Sequence, residues 1–239
     1  MSKKIITAEG RNFIVSAFFS AIVIALVKNF APGMIPYGAF EFWTTHGTVA
    51  QWLIAGLPIF AWGAAVTTVL AIVRQNTPEQ NRYAEGLLLM SGLGNVRAGV
   101  VEEFCFRWLI FLSSMFWVKV SNFILLGFMG WGIPEHLFIW IFRPIADFVT
   151  LHGLHDQLYH PSGWAVGAAM LAANALFRSG HRYQGWLGWI NSWFLGMFFF
   201  WIMFRFGLPA AMLVHFSYNM VISLISYAKA VLSRAFDNA

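Results

Sequence analysis

The chain has 239 residues, of which 59% are hydrophobic, 18% aromatic and only 10% charged, against roughly a quarter charged in an ordinary soluble domain. Water is not its main solvent, and the net charge of +5 is scattered over the chain ends and short polar gaps, unlike the basic, aromatic-interleaved runs of a nucleic-acid binder. A single cysteine, Cys105, excludes an intrachain disulfide and any paired-cysteine metal site, so the fold must rest on packing.

Inside a bilayer only helices or closed barrels satisfy the backbone, and a crossing helix needs about 20 apolar residues. The apolar runs here are continuous rather than alternating. They predict an all-α, polytopic transmembrane bundle of about seven spans, in a range of roughly six to eight. In chain order the spans are expected near 12–30, 50–74, 99–118, 120–142, 164–181, 186–206 and 208–230. Lys3, Lys4 and Arg11 precede the first run and Lys28 closes it with no small-x-small cleavage site after it, so it reads as a retained span and not a signal peptide. Residues 83–97, with three glycines, read as an interfacial segment or part of a half-span. The 120–142 run contains Pro134, Glu135 and His136, which predicts a broken or re-entrant helix. Residues 1–98 are thus N-terminal spans with an interfacial segment, and 99–230 a helical core, within one membrane domain. The Lys/Arg bias of Lys3, Lys4, Arg11, Arg74 and Arg82 places the N-terminus in the cytoplasm. Later basic residues fall on both sides under a seven-span count.

Ionisable residues inside spans cost about 3 kcal/mol or more each unless they face a cavity or a partner, which makes the exceptions informative. Val-Glu-Glu-Phe-Cys-Phe-Arg sets Glu102, Glu103 and Arg107 at one end of an apolar helix. At α-helical spacing Glu103 and Arg107 share a face, where they can form an ion pair, whereas Glu102 shares its face with Phe106, which leaves its carboxylate available to water or substrate. A helix end in the headgroup region, its charges merely facing water, accounts for these three residues equally well. Downstream, Phe177 and His181 are one turn apart, as are His215 and Asn219. A lone membrane histidine is usually a packing residue. Two on separate helices, one with an amide beside it and both downstream of paired glutamates, point to a convergent polar site.

EExxxR (Glu102 to Arg107), FxxxH (Phe177 to His181) and HxxxN (His215 to Asn219), in that order on expected spans, resemble the three-motif pattern of the CPBP family of CAAX prenyl proteases and bacteriocin-processing enzymes. Gly188 to Gly207 followed by Leu208-Pro209-Ala210-Ala211-Met212 resembles the helix and turn that lead into the third motif. The likeness covers about residues 99–225, and here an insertion of roughly 119–163 separates the first motif from the second. The resemblance implies an intramembrane endopeptidase working near the membrane surface on a peptide or membrane-protein substrate, with or without a prenyl group.

Peptide hydrolysis needs an activated water and a stabilised oxyanion. A carboxylate in a partly desolvated cavity titrates closer to neutrality, which suits Glu102 as general base; His181 shares the water. His215 and Asn219 can both donate hydrogen bonds to the tetrahedral intermediate. Glu103, Arg107 and Phe177 support these groups. No cofactor is then required. The alternative is a zinc mechanism with Glu102 or Glu103, His181 and His215 as ligands, against which Asn219 argues as a poor zinc ligand. The insertion also carries His152, His155, Asp156 and His160. These evoke a second zinc site, but the spacing matches no metal motif and interfacial loops commonly hold such residues. Readings from other classes are a non-catalytic membrane scaffold or immunity protein, and a transporter, the latter weakened by the lack of an inverted repeat. Membrane lipid is a partner under every reading.

Overall fold

The computed structural model describes residues 2–73 and 94–237, with side chains over 15–69, 94–232 and at 235. The loop bearing Arg74 and Arg82, and most of the glycine-bearing stretch expected near the interface, lie outside these residues. Every regular element among the described residues is helical: α1 Ser2–Phe30, α2 Val49–Val73, α3 Gly94–Ile124, α4 over 133–149, α5 His155–Leu158, α6 Ala165–Gly180, α7 Gly185–Phe206 and α8 Leu208–Asp237. Four stretches are long and apolar enough to cross a bilayer: Val49–Val69, Gly94–Ile124, Arg182–Phe206 and Leu208–Leu232. They mark the chain as a helical membrane protein. The count is four among the described residues, against the seven or so expected.

The expected span at 120–142 is not one helix. α3 runs on to Ile124, the chain turns through Leu126 and Gly130, both in the left-handed region at φ 66° and 82°, and α4 starts afresh at Ile133. Asn122 makes the turn: its Oδ1 accepts the Glu135 amide at 2.9 Å while its Nδ2 donates to Glu135 Oε2 at 3.2 Å. A side chain at Gly132 would fall 2.2 Å from the Asn122 amide. Pro134 sits in the first turn of α4, where its missing N–H costs nothing. The residues that marked this run as a broken helix are thus the start of a new one.

The chain divides into two compact units, Met1–Thr44 with Phe104–Trp201 and Thr45–Glu103 with Ile202–Ala239. In the first, α3 packs against α6 and α1. Phe111, Leu112 and Met115 of α3 are fully buried, as are the small residues Ala169 and Ala173 of α6; small residues let membrane helices approach closely. Ser113 Oγ bonds Ser20 Oγ at 3.2 Å across to α1. The segment after α1 is pinned by cations on carbonyls. Lys28 donates to the oxygens of Ile35, at 3.0 Å, and Tyr37; Lys119 donates to that of Met34 at 3.1 Å. Trp108 Nε1 adds a bond to Ala39 O. Tyr37 is buried against Phe42, Phe111 and His160, and burial, helped by the nearby Glu41 charge, pushes its phenol above the usual value.

In the second unit α2 lies along α8, backbone close to backbone. A side chain at Gly56 would meet Val214 at 3.0 Å, and one at Gly63 would meet the Tyr218 ring at 2.4 Å and Ile222 at 3.0 Å. The start of α3 joins α8 through Asn95, whose Nδ2 donates to Ser223 Oγ at 3.0 Å. One turn on, a side chain at Gly99 would lie 3.0 Å from Phe216 N and 3.1 Å from Met212 O. That glycine brings the next turn of α3, with its glutamates, against His215.

Candidate functional site

Residues 103–110 of α3 form a π-helix, a widened i→i+5 turn often found at functional sites. The α-helical spacing rule therefore does not describe the turn from Glu103 to Arg107. Glu103 is fully buried, and its Oε1 accepts a hydrogen bond from Nδ1 of His215 at 2.8 Å. With Glu103 as a carboxylate, which can only accept, His215 donates from Nδ1, and a ring carrying a single proton then has its lone pair on Nε2. That nitrogen faces Glu102, whose Oε2 is 3.9 Å away and whose side chain is 28% exposed. His215 itself is buried, and Asn219, one turn further along α8, is half-buried. The second unit thus sets two carboxylates about one imidazole, a buried one bonded to Nδ1 and a partly exposed one 3.9 Å from Nε2.

The first unit holds the rest of the expected set. His181 caps α6 with Nδ1 on Phe177 O at 2.9 Å, and its ring packs on Phe177 at 4.6 Å. The lone pair of a neutral His181 then lies on Nε2. Phe177 is almost fully buried, as is Arg107, whose guanidinium carbon sits 4.0 Å over the Phe177 ring and 5.6 and 5.5 Å from those of Phe199 and Phe200. A guanidinium is weakly enough hydrated to favour aromatic faces of this kind. The structure therefore brings Glu102, Glu103 and His215 together in one unit, and Arg107, Phe177 and His181 together in the other. What helical spacing did not foresee is the Glu103 bond to His215, since the two lie 112 residues apart.

α6 and α7 hold the second motif in place. Asn174 is fully buried and its Nδ2 donates to Trp193 O at 2.9 Å. Gly196 lies so close beneath it that a side chain there would fall 1.8 Å from Asn174 Oδ1. An apolar cavity of about 620 Å³ opens in the same unit among Leu125, Leu137, Phe142, Trp164 and Trp193, with Arg178 on its lining.

The polar loop of the insertion is arranged otherwise than its sequence suggests. His152 and His155 both turn onto Asp147, not Asp156, and His160 packs on Tyr37. Burial raises the Asp147 carboxyl, but the hydrogen bonds and charges of the two histidines outweigh it and hold it below the usual carboxylate range. Burial lowers His160, with the Glu41 charge in partial opposition. Asp147 escaped the sequence reading because it lies in an apolar helix five residues before the loop's first histidine; a lone buried acid there was the available signal. Comparison of the chain with family models, curated proteins and solved structures finds no match to any of them.

Proposed function

We propose that the chain is an intramembrane endopeptidase of the CAAX-protease type, in which Glu102 activates the hydrolytic water. The observation that carries this reading is the buried Glu103–His215 bond of 2.8 Å with Glu102 3.9 Å from the opposite ring nitrogen. It is the logic of a catalytic imidazole oriented by a buried carboxylate. A water bonded to both Glu102 Oε2 and His215 Nε2 at about 2.8 Å would subtend roughly 90° at its oxygen. Glu102 takes a proton from that water as its oxygen adds to the scissile carbonyl. The proton passes to His215 Nε2, which then becomes a donor to the oxyanion alongside the Asn219 amide and finally protonates the leaving amine. His181, supported by Phe177 and Arg107, is assigned to the same reaction by the motif resemblance. The substrate is a peptide or membrane protein, and the apolar cavity of the first unit has the chemistry to take a prenyl group. The N-terminus is assigned to the cytoplasm by its Lys/Arg bias.

Purified membranes bearing wild type or Glu102→Gln, given libraries of plain and prenylated peptides, test the reading. Cleavage by wild type and its loss in the variant is the expected result. Equal cleavage by both overturns the mechanism, and a cellular phenotype retained by both without any cleavage favours a scaffold. Activity after chelation separates the metal-free reaction from a zinc ion held on Glu102, His181 and His215, because a carboxylate behind a histidine also supports zinc binding.

A further inference from the structure

Between α4 and α6 the chain builds a second constellation, remote in sequence from all three motifs. Asp147 lies in the last turn of α4, buried except for 8% of its side chain. His152 Nδ1 is 2.9 Å from Asp147 Oδ2; His155 Nδ1 is 3.1 Å from Oδ2 and 3.3 Å from Oδ1. One ligand atom from each residue falls within 4.8 Å of the others. Zinc bonds to nitrogen and oxygen of about 2.0–2.1 Å in a tetrahedron put neighbouring ligand atoms roughly 3.3 Å apart. The nitrogen–oxygen separations to Oδ2, 2.9 and 3.1 Å as hydrogen bonds, need to open by only a few tenths of an ångström to become such edges, while the two imidazole nitrogens, within 4.8 Å of each other, close on the ion.

The backbone is bent to achieve this. Leu151 and His152 are consecutive non-glycine residues at φ 52° and 60°, a conformation that L-residues adopt at a cost. The turn carries Leu151 out to 86% exposure while His152 N bonds back to Asp147 O at 2.9 Å. His155 is steadied by stacking on Tyr159 at 4.4 Å. The histidine side chains are 69% and 52% exposed, so an ion could enter from water and retain water in its remaining positions.

We propose that Asp147, His152 and His155 bind a divalent transition-metal ion, zinc by ligand type, at a site separate from the glutamate motif. Two imidazoles and one carboxylate are borderline donors that suit zinc and its neighbours over calcium or magnesium. On binding, each neutral imidazole gives up Nδ1 to the metal and carries its proton on the solvent-facing Nε2, so the protons balance without loss of charge. The ion ties the end of α4 to the start of α5 and clamps the inserted loop.

The test uses the full chain in detergent or nanodiscs, stripped with a chelator and titrated with zinc chloride against a chromophoric zinc indicator, then with cobalt(II) as a spectroscopic probe. One zinc per chain is expected, with a tetrahedral cobalt spectrum and a rise in unfolding temperature on saturation. His152→Ala, His155→Ala and Asp147→Asn should each weaken zinc at least 10-fold, while Asp156→Asn and His160→Gln leave it unchanged. Each histidine variant gives up a hydrogen bond to the buried Asp147 and should melt somewhat below metal-free wild type. Zinc is therefore titrated well below each variant's own melting temperature, where weakened binding by a folded chain separates lost binding from lost folding. No zinc bound at micromolar concentration overturns the proposal. So does zinc that survives in the His152→Ala/His155→Ala pair, and zinc lost with His215→Ala instead would assign the metal to the glutamate motif.

Discussion

Replacing Gly99 gives a graded test of how the candidate site is positioned. With alanine, the new methyl lies 3.0 Å from Phe216 N and 3.1 Å from Met212 O, close enough that α8 must yield by a few tenths of an ångström. That strain costs about 1 kcal/mol, and removing a glycine from a helix interior returns about 0.5–1 kcal/mol. Gly99→Ala is therefore near neutral. Valine adds two more methyls against backbone atoms that cannot rotate away. The helices must separate by an ångström or so, at about 1–3 kcal/mol. The Glu103–His215 bond, 2.8 Å in the native chain, would then open beyond hydrogen-bonding range, which forfeits about 1.5–3 kcal/mol for a bond to a charged group. Together the loss is about 2.5–6 kcal/mol. Reversible unfolding in mixed detergent measures the energies, and the imidazole nitrogen resonances of His215 report the bond. If Gly99→Val unfolds within about 0.5 kcal/mol of wild type and leaves the His215 resonances in place, the close approach of α3 to α8 is not what holds the site.

The two glutamates should behave differently. Glu103→Gln keeps a hydrogen-bond acceptor but loses the charge in a buried position, so it should destabilise the chain by about 1–2 kcal/mol. Glu102→Gln, at a partly exposed carboxylate, should leave the unfolding midpoint unchanged while cleavage falls by about 10²–10⁴. A thermal melt of both variants beside a peptide-cleavage assay would expose the reverse pattern. Gly196→Ala should cost about 1–3 kcal/mol by driving a methyl into Asn174, and Asn174→Ala in the same chain should recover part of it, which a double-mutant cycle detects. His160 supplies a pH dependence. Its folded-state value lies below that of the free imidazole, so as pH falls through about 6.5 the unfolded chain takes up the proton first and stability drops, levelling off once the folded pKa is passed. Melting at pH 7.5 and 5.5 should show a smaller drop in His160→Gln; an equal drop in both would remove His160 from the account.

Composition alone gave away the solvent and the helical class, because a chain with so few charges cannot cover itself for water. The chemically informative residues were also visible one by one, since Glu102, Glu103, His181 and His215 are costly in apolar helices and stand out against them. Their partners were not. Spacing along an α-helix offered Arg107 as a partner for Glu103, but the bond from His215 to Glu103, on another helix and 112 residues away, is a tertiary fact with no local signal. The break in the 120–142 run was signalled by Pro134, Glu135 and His136, but what makes it was not. Leu125, Leu126, Phe128 and Met129 look like span, and what turns the chain is Asn122 closing on Glu135, with glycines at the two crowded points. Asp147 was passed over because its histidine partners had a nearer acid, Asp156, to suggest themselves to.

The length of α6 has a bearing on the lipid around it. Its 16 residues rise about 1.5 Å each, roughly 24 Å in all, some 6 Å short of a typical hydrocarbon core of about 30 Å. α6 is not among the four stretches long and apolar enough to cross alone; as a crossing element it would be accommodated by thinning of the bilayer beside it, by flanking side chains reaching the interface, or by association with neighbouring helices. Thinning draws headgroups and their water inward at the helix ends, and His181 sits at one of those ends. Membrane thickness would then act as a rheostat on hydration near the second motif, with short-chain lipids wetting it and long-chain, sterol-rich bilayers drying it.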